Sequence, residues 1–440
     1  MRPGRKPCWF STLPHSYRAV RMNSVCYDCC MIIRQGFKYR LDTSEAQSAR
    51  LRVLCGHARF VWNHALAQCN EALATEGQYV PRYETMAKWV TAWKRSPDTE
   101  WLKDAYTDNL QQKLKDLDTA WQRFFKKVAD AGRPQFKKKG RCRDSVRFVN
   151  FAKYCAVDGN RVKLPAGIGW VKFRKSRAIL GEVKNCTVGF DAGHWFISFQ
   201  TEREVDNPLP KATGAVGIDM GIQRFVTLSD GTYCEPLNSF KRHQEQLAKA
   251  QRQMSRKTKF SSNWKKAKAR VQRINHRISN VRRDYLHKAS TTISKNHAMV
   301  CIEDLQVSNM SASAAGTAEQ PGRNVKAKSG LNKAILDQGW YEFRRQLDYK
   351  LAWNGGWLIA VPAHNTSRTC PCCGHVSADN RKTQAQFLCV QCGYVNNADV
   401  VGAINVLRRG EAHLSNEGLD LARFACEVNG AVMPSAAGTC

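Results

Sequence analysis

The chain is poor in acid. It carries 37 Asp and Glu against 69 Lys and Arg, a formal charge of +32 over 440 residues. A surplus of this size attracts polyanions through long-range field and counterion release. Nucleic acid is the first partner class, a membrane surface the second, and a basic protein with no polyanion partner the bland alternative. Long apolar runs are missing as well. No stretch of about 18 apolar residues occurs, which excludes a transmembrane helix, and no membrane partner is expected. Arg2, Arg5 and Lys6 are followed by neither an apolar core nor a cleavage site, so no signal peptide is read. Without a secretion signal, the 18 cysteines are expected to be reduced thiols of a cytoplasmic protein rather than a disulfide framework. What remains is globular. At 43% hydrophobic residues the chain can bury a sizeable core, and its length suits two or three domains.

Residues 1–30 show no periodicity. Cys26 and Cys29 form a CxxC with no partner pair nearby and are set aside as a decoy. The fold is expected to begin near Met31, with 1–30 a disordered extension or the product of an upstream start codon. "MIIRQGFKYRL" reads as a strand. Thr43 or Ser44 can cap the helix that follows, with Glu45 and Gln47 in its first turn. Leu51, Leu54, Ala58, Val61, Ala65 and Cys69 run down one face of that helix. Leu110, Leu114, Leu117, Trp121 and Phe124 do the same in a second helix, and both rows read as core. Lys137, Lys138 and Lys139 form a run in the segment 132–148, just after Lys126, Lys127 and Arg133. It is either a solvated loop or a phosphate contact. From 146 to 205 the pattern is short strands and turns, as in a small β-barrel or sandwich.

"AVGID" and "RFVTLS" are two further strands, with Asp230-Gly231 as a turn. Residues 241–288 are helical and carry sixteen Lys/Arg against two acids, Glu245 and Asp284. Val271, Ile274, Ile278, Val281 and Tyr285 form a stripe suited to an antiparallel partner helix. The opposite face, with Lys265, Lys266, Arg270, Arg273 and Arg277, is of one sign and predicts a nucleic-acid groove. "MVCIEDL" is a buried strand closing at Glu303. Residues 308–330 read as a mobile loop. A helix ("WYEFRRQLDYKLAWNGG"), a strand ("WLIAVPA") and a last helix ("ADVVGAINVLRRG") complete the pattern.

Two motifs carry chemistry. Cys370-x-x-Cys373 and Cys389-x-x-Cys392 each place Gly after the second cysteine, where it permits a tight knuckle. Four thiolates at this spacing suit a structural Zn²⁺ with every position filled. Cys372 is a spare. The second motif is dispersed. Asp219 ends one apolar strand, Glu303 ends another, and Asp399 opens an apolar helix. An acid at the end of a buried strand is costly unless it is paired or binds a cation. Three of them in a basic chain suggest a Mg²⁺ or Mn²⁺ site for phosphodiester hydrolysis. Asp304 should point the opposite way from Glu303 and is excluded.

The stretches "VGIDMGIQRFVTLSDG", "CIEDLQVSNM" and "CGYVNNADVVGAINVL" resemble the three split RuvC motifs of the TnpB family, the transposon-encoded OrfB proteins related to type V CRISPR effectors. "NTSRTCPCCG" resembles that family's zinc-ribbon entry. Further matches include "FKYRLDTSEAQSARL", "GHARFVWNHAL" and "GRPQFKKKG", so the resemblance spans roughly 31–410. It implies catalytic, Mg²⁺-binding acids at Asp219, Glu303 and Asp399 and zinc ligands at Cys370, Cys373, Cys389 and Cys392. It implies an α+β multidomain architecture. A wedge β-barrel would comprise 31–43 and 141–210, interrupted by a helical recognition insertion at 44–140. A RuvC-like RNase H domain would comprise 211–365 and 397–410 and hold a zinc ribbon at 366–396, before a weakly structured tail at 411–440. The activity implied is RNA-guided cleavage of double-stranded DNA beside a short adjacent motif, with a guide RNA from the transposon end; a monomer is one expectation, and the sequence does not decide the oligomeric state. A guided repressor and a transposase are the alternatives. Gln223 departs from the family, which often has Lys there, and Arg224 is the residue placed to compensate.

Overall fold

A computed structural model describes residues 31–75, 80–128, 131–206, 208, 210 and 212–416. The expectations for 1–30 and 417–440 lie outside these residues. The described chain divides into two compact units, one of 31–205 with 260–273, the other of 206–259 with 274–416.

In the first unit, β1 (Met31–Asp42) alternates, burying Phe37, Tyr39 and Leu41 on one face. Helix α1 (Glu45–Thr75) follows. Of the two expected caps, Ser44 is the one used: its Oγ accepts from Gln47 N (3.2 Å) while its own N donates to Gln47 Oε1 (3.1 Å). This reciprocal pair satisfies two groups that a helix start otherwise leaves open. The apolar row from Leu51 to Cys69 is buried throughout. Helix α2 (Tyr83–Trp93) was not anticipated, although Met86, Val90 and Trp93 stand at helical spacing and are buried. After a 3-10 turn at Pro97–Asp104, α3 (Thr107–Phe125) buries Leu110, Leu114, Leu117 and Trp121 in one core with α1 and α2, and Phe124 packs at its margin.

The chain then returns to the sheet. β2 (Ser145–Phe148), the single turn α4 (Phe151–Tyr154), β3 (Ala156–Asp158), β4 (Arg161–Leu164), β5 (Gly169–Phe173), β6 (Glu182–Asp191) and β7 (His194–Val205) follow in order. With β1 they form a seven-stranded antiparallel sheet ordered β2-β6-β7-β1-β5-β4-β3. Because β1 lies within it, the helices α1 to α3 are inserted into one sheet. The ladder runs open from β2 to β3, and no pairing among the described residues closes it into a barrel.

The second unit begins with β8 (Ala215–Asp219) and the hairpin strands β9 (Val226–Leu228) and β10 (Tyr233–Cys234). Helices α5 (Ser239–Ser255) and α6 (Ser262–Asn296) lead to β11 (Met299–Glu303). Residues 262–273 of α6 belong to the first unit. The short α7 (Val307–Met310), then α8 (Val325–Gln338) and α9 (Trp340–Trp353), precede β12 (Trp357–Val361). Beyond it lie a 3-10 turn at Ala378–Asn380, the pair β13 (Gln386–Leu388) and β14 (Val395–Asn397), and α10 (Ala398–Asn416). The loop expected over 308–330 is therefore shorter. Its last residues begin α8, a helix whose Ala, Lys and Leu content is masked by Ser329 and Gly330. The stripe expected along α6 is also incomplete: Val271, Ile274 and Ile278 are buried, but Val281 is exposed.

The sheet order is β10-β9-β8-β11-β12, with β8, β11 and β12 parallel. Parallel strands covered on both faces lose polar alternation, and all five residues of β11 are buried. Val300 and Ile302 pack with Phe343, Leu347 and Leu351 of α9. Met299 and Cys301 face the opposite way, toward Val406 of α10. Helix α10 lies directly on the sheet. A Cβ added at Gly217 would stand 2.0 Å from the Ala403 carbonyl oxygen, and one at Gly410 would stand 2.1 Å from Cys301 Sγ.

Candidate active site and cysteine cluster

Asp219 and Glu303 are the last residues of β8 and β11, whose register pairs Ile218 with Ile302. Both acids therefore leave the same end of the sheet. The period of two along β11 puts Glu303 on the face of Met299 and Cys301, toward α10. Asp399 is the second residue of α10. Asn397 Oδ1 accepts from the Asp399 and Val400 amides (3.0 and 3.4 Å) and caps that helix, and an acid in a first turn suits the helix dipole. A Cβ at Gly402 would meet Asp219 Oδ2 at 3.1 Å, so the start of α10 abuts this carboxylate. Asp304 points the other way, to an ion pair with Arg344 of α9.

Several neighbours were not read from the sequence. Thr366 Oγ1 donates to Glu303 Oε1 (2.6 Å), and the Thr366 carbonyl accepts from Asn405 Nδ2 of α10 (2.8 Å). Arg381 Nη2 reaches Asp399 Oδ1 (3.1 Å) and the Gln384 carbonyl (2.9 Å). Burial, reinforced by the charges of Glu303 and Asp399, pushes Asp219 up to about 7, against the pull of Arg381. Burial also raises Glu303, opposed by its Thr366 hydrogen bond and by Arg409 and Arg381. Glu303 and Asp399 thus sit near enough to Asp219 to raise its carboxyl, and carboxylates gathered in this way form a hard oxygen donor set, the kind that suits Mg²⁺ or Mn²⁺. Gln223 is exposed, and Arg224 lies 4.1 Å from the centroid of the Tyr233 ring.

Between β12 and α10 stand the four cysteines. Their Sγ atoms all lie within 4.8 Å of one another. Cys370 to Cys392 and Cys373 to Cys389 are each 3.6 Å. A tetrahedral zinc with Zn–S bonds of about 2.3 Å has sulfur–sulfur edges of about 3.8 Å, so donors and spacing fit that ion. The two halves repeat. Cys370 N donates to His375 O and Cys389 N to Tyr394 O, each 2.9 Å, while Gly374 and Gly393 donate back to Cys370 O and Cys389 O at 3.0 Å. Both glycines are left-handed, φ +77° and +73°, which a side chain would strain. Cys372 is exposed and outside the cluster. Buried Asn380 ties the halves together, donating to Arg368 O and His375 O and accepting from Val390 N.

The basic residues fall in different settings. Lys137 is tucked in, its Nζ 3.4 Å from the centroid of the Trp62 ring, and burial, with Lys113 nearby, pushes it down to about 8. Lys138 and Lys139 are exposed, as are Lys265, Lys266, Arg270, Arg273 and Arg277. Lys268 Nζ donates to the Gly140 carbonyl (3.0 Å). That bond brings the 137–139 loop against the first turns of α6 within the first unit. Arg277 belongs to the second unit.

Residues 198–314 match a family described as "Probable transposase", 340–406 a "Cas12f1-like, TNB domain" and 31–78 a "Helix-turn-helix domain". In the last of these, the structure has a strand and one long helix. Over 381 residues the chain is 51% identical to a protein of Escherichia coli (strain K12) named "Putative RNA-guided DNA endonuclease InsQ", covering 87% of this chain and 93% of that one. It is 34% identical to a "Putative RNA-guided DNA endonuclease" of Streptomyces pristinaespiralis, covering 86% and 90%. Among solved structures it is similar to the protein of a Cas12f1-sgRNA-target DNA complex, with TM-score 0.51, 11% identity, and 85% and 98% of the two chains covered. That likeness is one of fold. No described helix is long and apolar enough to cross a membrane.

Proposed function

The chain belongs to the TnpB family of transposon-encoded OrfB proteins, and from that premise we propose that it is an RNA-guided DNA endonuclease. Its substrate would be double-stranded DNA matched by a guide RNA from the transposon end and flanked by a short adjacent motif. The observation that carries this reading is that Asp219, Glu303 and Asp399, spread over 180 residues of sequence (399 minus 219), come near enough together that Glu303 and Asp399 both raise the Asp219 carboxyl. A repressor that binds without cutting would have no use for such a cluster.

Asp219, Glu303 and Asp399 would hold Mg²⁺ or Mn²⁺, which supplies an activated water and stabilises the leaving oxygen of a phosphodiester. The surrounding residues keep these ligands in place. Thr366 and Asn405 fix the Glu303 carboxylate, and Arg381 offsets the charge of Asp399. Cys370, Cys373, Cys389 and Cys392 would hold Zn²⁺, folding 366–396 into a ribbon that delivers Asp399 rigidly to the sheet. In this reading the seven-stranded sheet is the wedge domain (31–43 and 141–210) and α1 to α3 its recognition insertion (44–140). Residues 211–365 and 397–410 form the RuvC-like nuclease. The exposed bases on the 138–139 loop and α6 contact phosphates, where pairing rather than side chains supplies sequence specificity.

The test is to substitute each acid with alanine in the protein purified with its RNA. Each variant should still hold RNA and should lose Mg²⁺-dependent cutting. A variant lacking Glu303 that cuts at the parent rate would sink the assignment.

A further inference from the structure

Phe260 is the residue just before the cap of α6. Ser261 caps that helix, its Oγ accepting from Trp264 N (3.1 Å). An apolar residue in this position commonly staples the helix start by burying itself against the first turn, with ordinary extended backbone. Phe260 touches that turn without being buried by it, and its backbone is not extended. It is 63% exposed, and its φ of +72° lies in the left-handed region, a genuine outlier for a bulky side chain. Strain of this kind persists where something else benefits from the geometry.

Its surroundings point to what that is. The Phe260 ring lies 5.5 Å from the Trp264 ring at 59°. Lys268 Nζ stands 5.3 Å from the centroid of the Trp264 ring and donates to the Gly140 carbonyl. That contact places the 138–139 loop beside the first turns of α6, so exposed Lys138 and Lys139 on the loop and exposed Lys265 and Lys266 on the helix belong to the same stretch of surface. A base stacks on any exposed π-face regardless of its identity, while lysines track the neighbouring phosphates.

We propose that Phe260, backed by Trp264 and served by the exposed lysines of the 138–139 loop and the start of α6, is a stacking platform for an unpaired or terminal nucleobase. The inference rests on the reading of the chain as a nucleic-acid enzyme and adds a base-contacting residue to it. The ligand chemistry, one nucleobase with its adjoining phosphates, is common to guide RNA and to single-stranded DNA.

The test uses the full-length protein with RNA transcribed from the transposon end and, separately, single-stranded DNA of the same sequence. Binding is measured at one salt concentration for the parent, Phe260→Gly and Phe260→Trp, together with thermal melts. Glycine relieves the left-handed backbone, so the Phe260→Gly protein should melt at or above the parent temperature. In at least one arm it should bind about 5- to 150-fold more weakly, the range that a single base–aromatic stack supplies. Phe260→Trp should restore that arm, and which arm responds identifies the nucleic acid. Ultraviolet crosslinking of the parent complex should place a nucleotide on the peptide containing Phe260 and Trp264. Equal binding by the glycine variant in both arms would overturn the platform. So would weaker binding that follows a lowered melting temperature, since Phe260 would then be a structural staple. A parent protein that binds neither nucleic acid would overturn the endonuclease reading as well.

Discussion

Asp219 ends β8 beside two other acids, and its protonation contributes a definite sign to how the cation-free protein responds to pH. The carboxyl is raised from an ordinary value near 4 to about 7, so between those limits the folded state holds a proton that the unfolded state has released. By linkage, its contribution to stability falls as pH rises from about 4 to about 7 and is flat above that. With chelator present, the parent's melting temperature should decline across this window relative to that of Asp219→Asn. Asp219→Asn should flatten the decline, and Mg²⁺ should reverse it above pH 7 in the parent alone. Parent and Asp219→Asn proteins whose melting temperatures change identically from pH 4 to 7 would contradict the placement of Asp219. Thr366 gives a second expectation. Removing its hydroxyl with Thr366→Val frees Glu303 from a hydrogen bond to a charged group, worth about 1.5–3 kcal/mol, and should slow cutting about tenfold while RNA binding is unchanged. The acids were legible because each is out of place, an acid ending an apolar strand or opening an apolar helix. Thr366, Asn405 and Arg381 were not. Thr366 meets Glu303 across 63 residues, Asn405 meets Thr366 across 39, and Arg381 meets Asp399 across 18, and no local pattern records such contacts.

At the scale of elements, the site depends on how closely α10 lies on the sheet. Gly217 faces the α10 backbone and Gly402 faces Asp219, and the two should fail differently. Gly217→Val drives a side chain into backbone and should cost about 3 kcal/mol or more of stability. Gly402→Ala meets only the Asp219 carboxylate, at 3.1 Å, so denaturant melts should change little while cutting falls. Equal effects on stability would show that α10 does not rest on β8 through Gly217. The cysteine ribbon gives the fourth expectation. A zinc chelator, or Cys389→Ser, should expose the amides of 366–397 to hydrogen exchange while β8 and β11 stay protected. Strands and the long helices were readable because apolar rows of period two or 3.6 continue over many residues. Helix α2 and the start of α8 were passed over, since α2 has only three buried positions and α8 opens among Lys, Ser and Gly. The open order of the first sheet was not readable at all, because strand pairing is decided between segments far apart in the chain.

For the whole molecule, the excess of 32 positive charges (69 minus 37) and the three acids would, on the proposed reading, make one account: basic residues that hold nucleic acid and a small acidic centre that cuts it. The most direct measurement uses protein co-expressed with its own transposon end. The bound RNA is sequenced, and the complex is given Mg²⁺ and a plasmid that matches the guide and carries a randomised flank, with Asp219→Ala alongside. The account predicts a defined RNA ending at the transposon boundary, cutting by the parent only at matched plasmids with a preferred flank, and an Asp219→Ala complex that holds the same RNA and leaves the plasmid intact. Cutting that persists without Asp219, or that ignores the match between guide and plasmid, would contradict it.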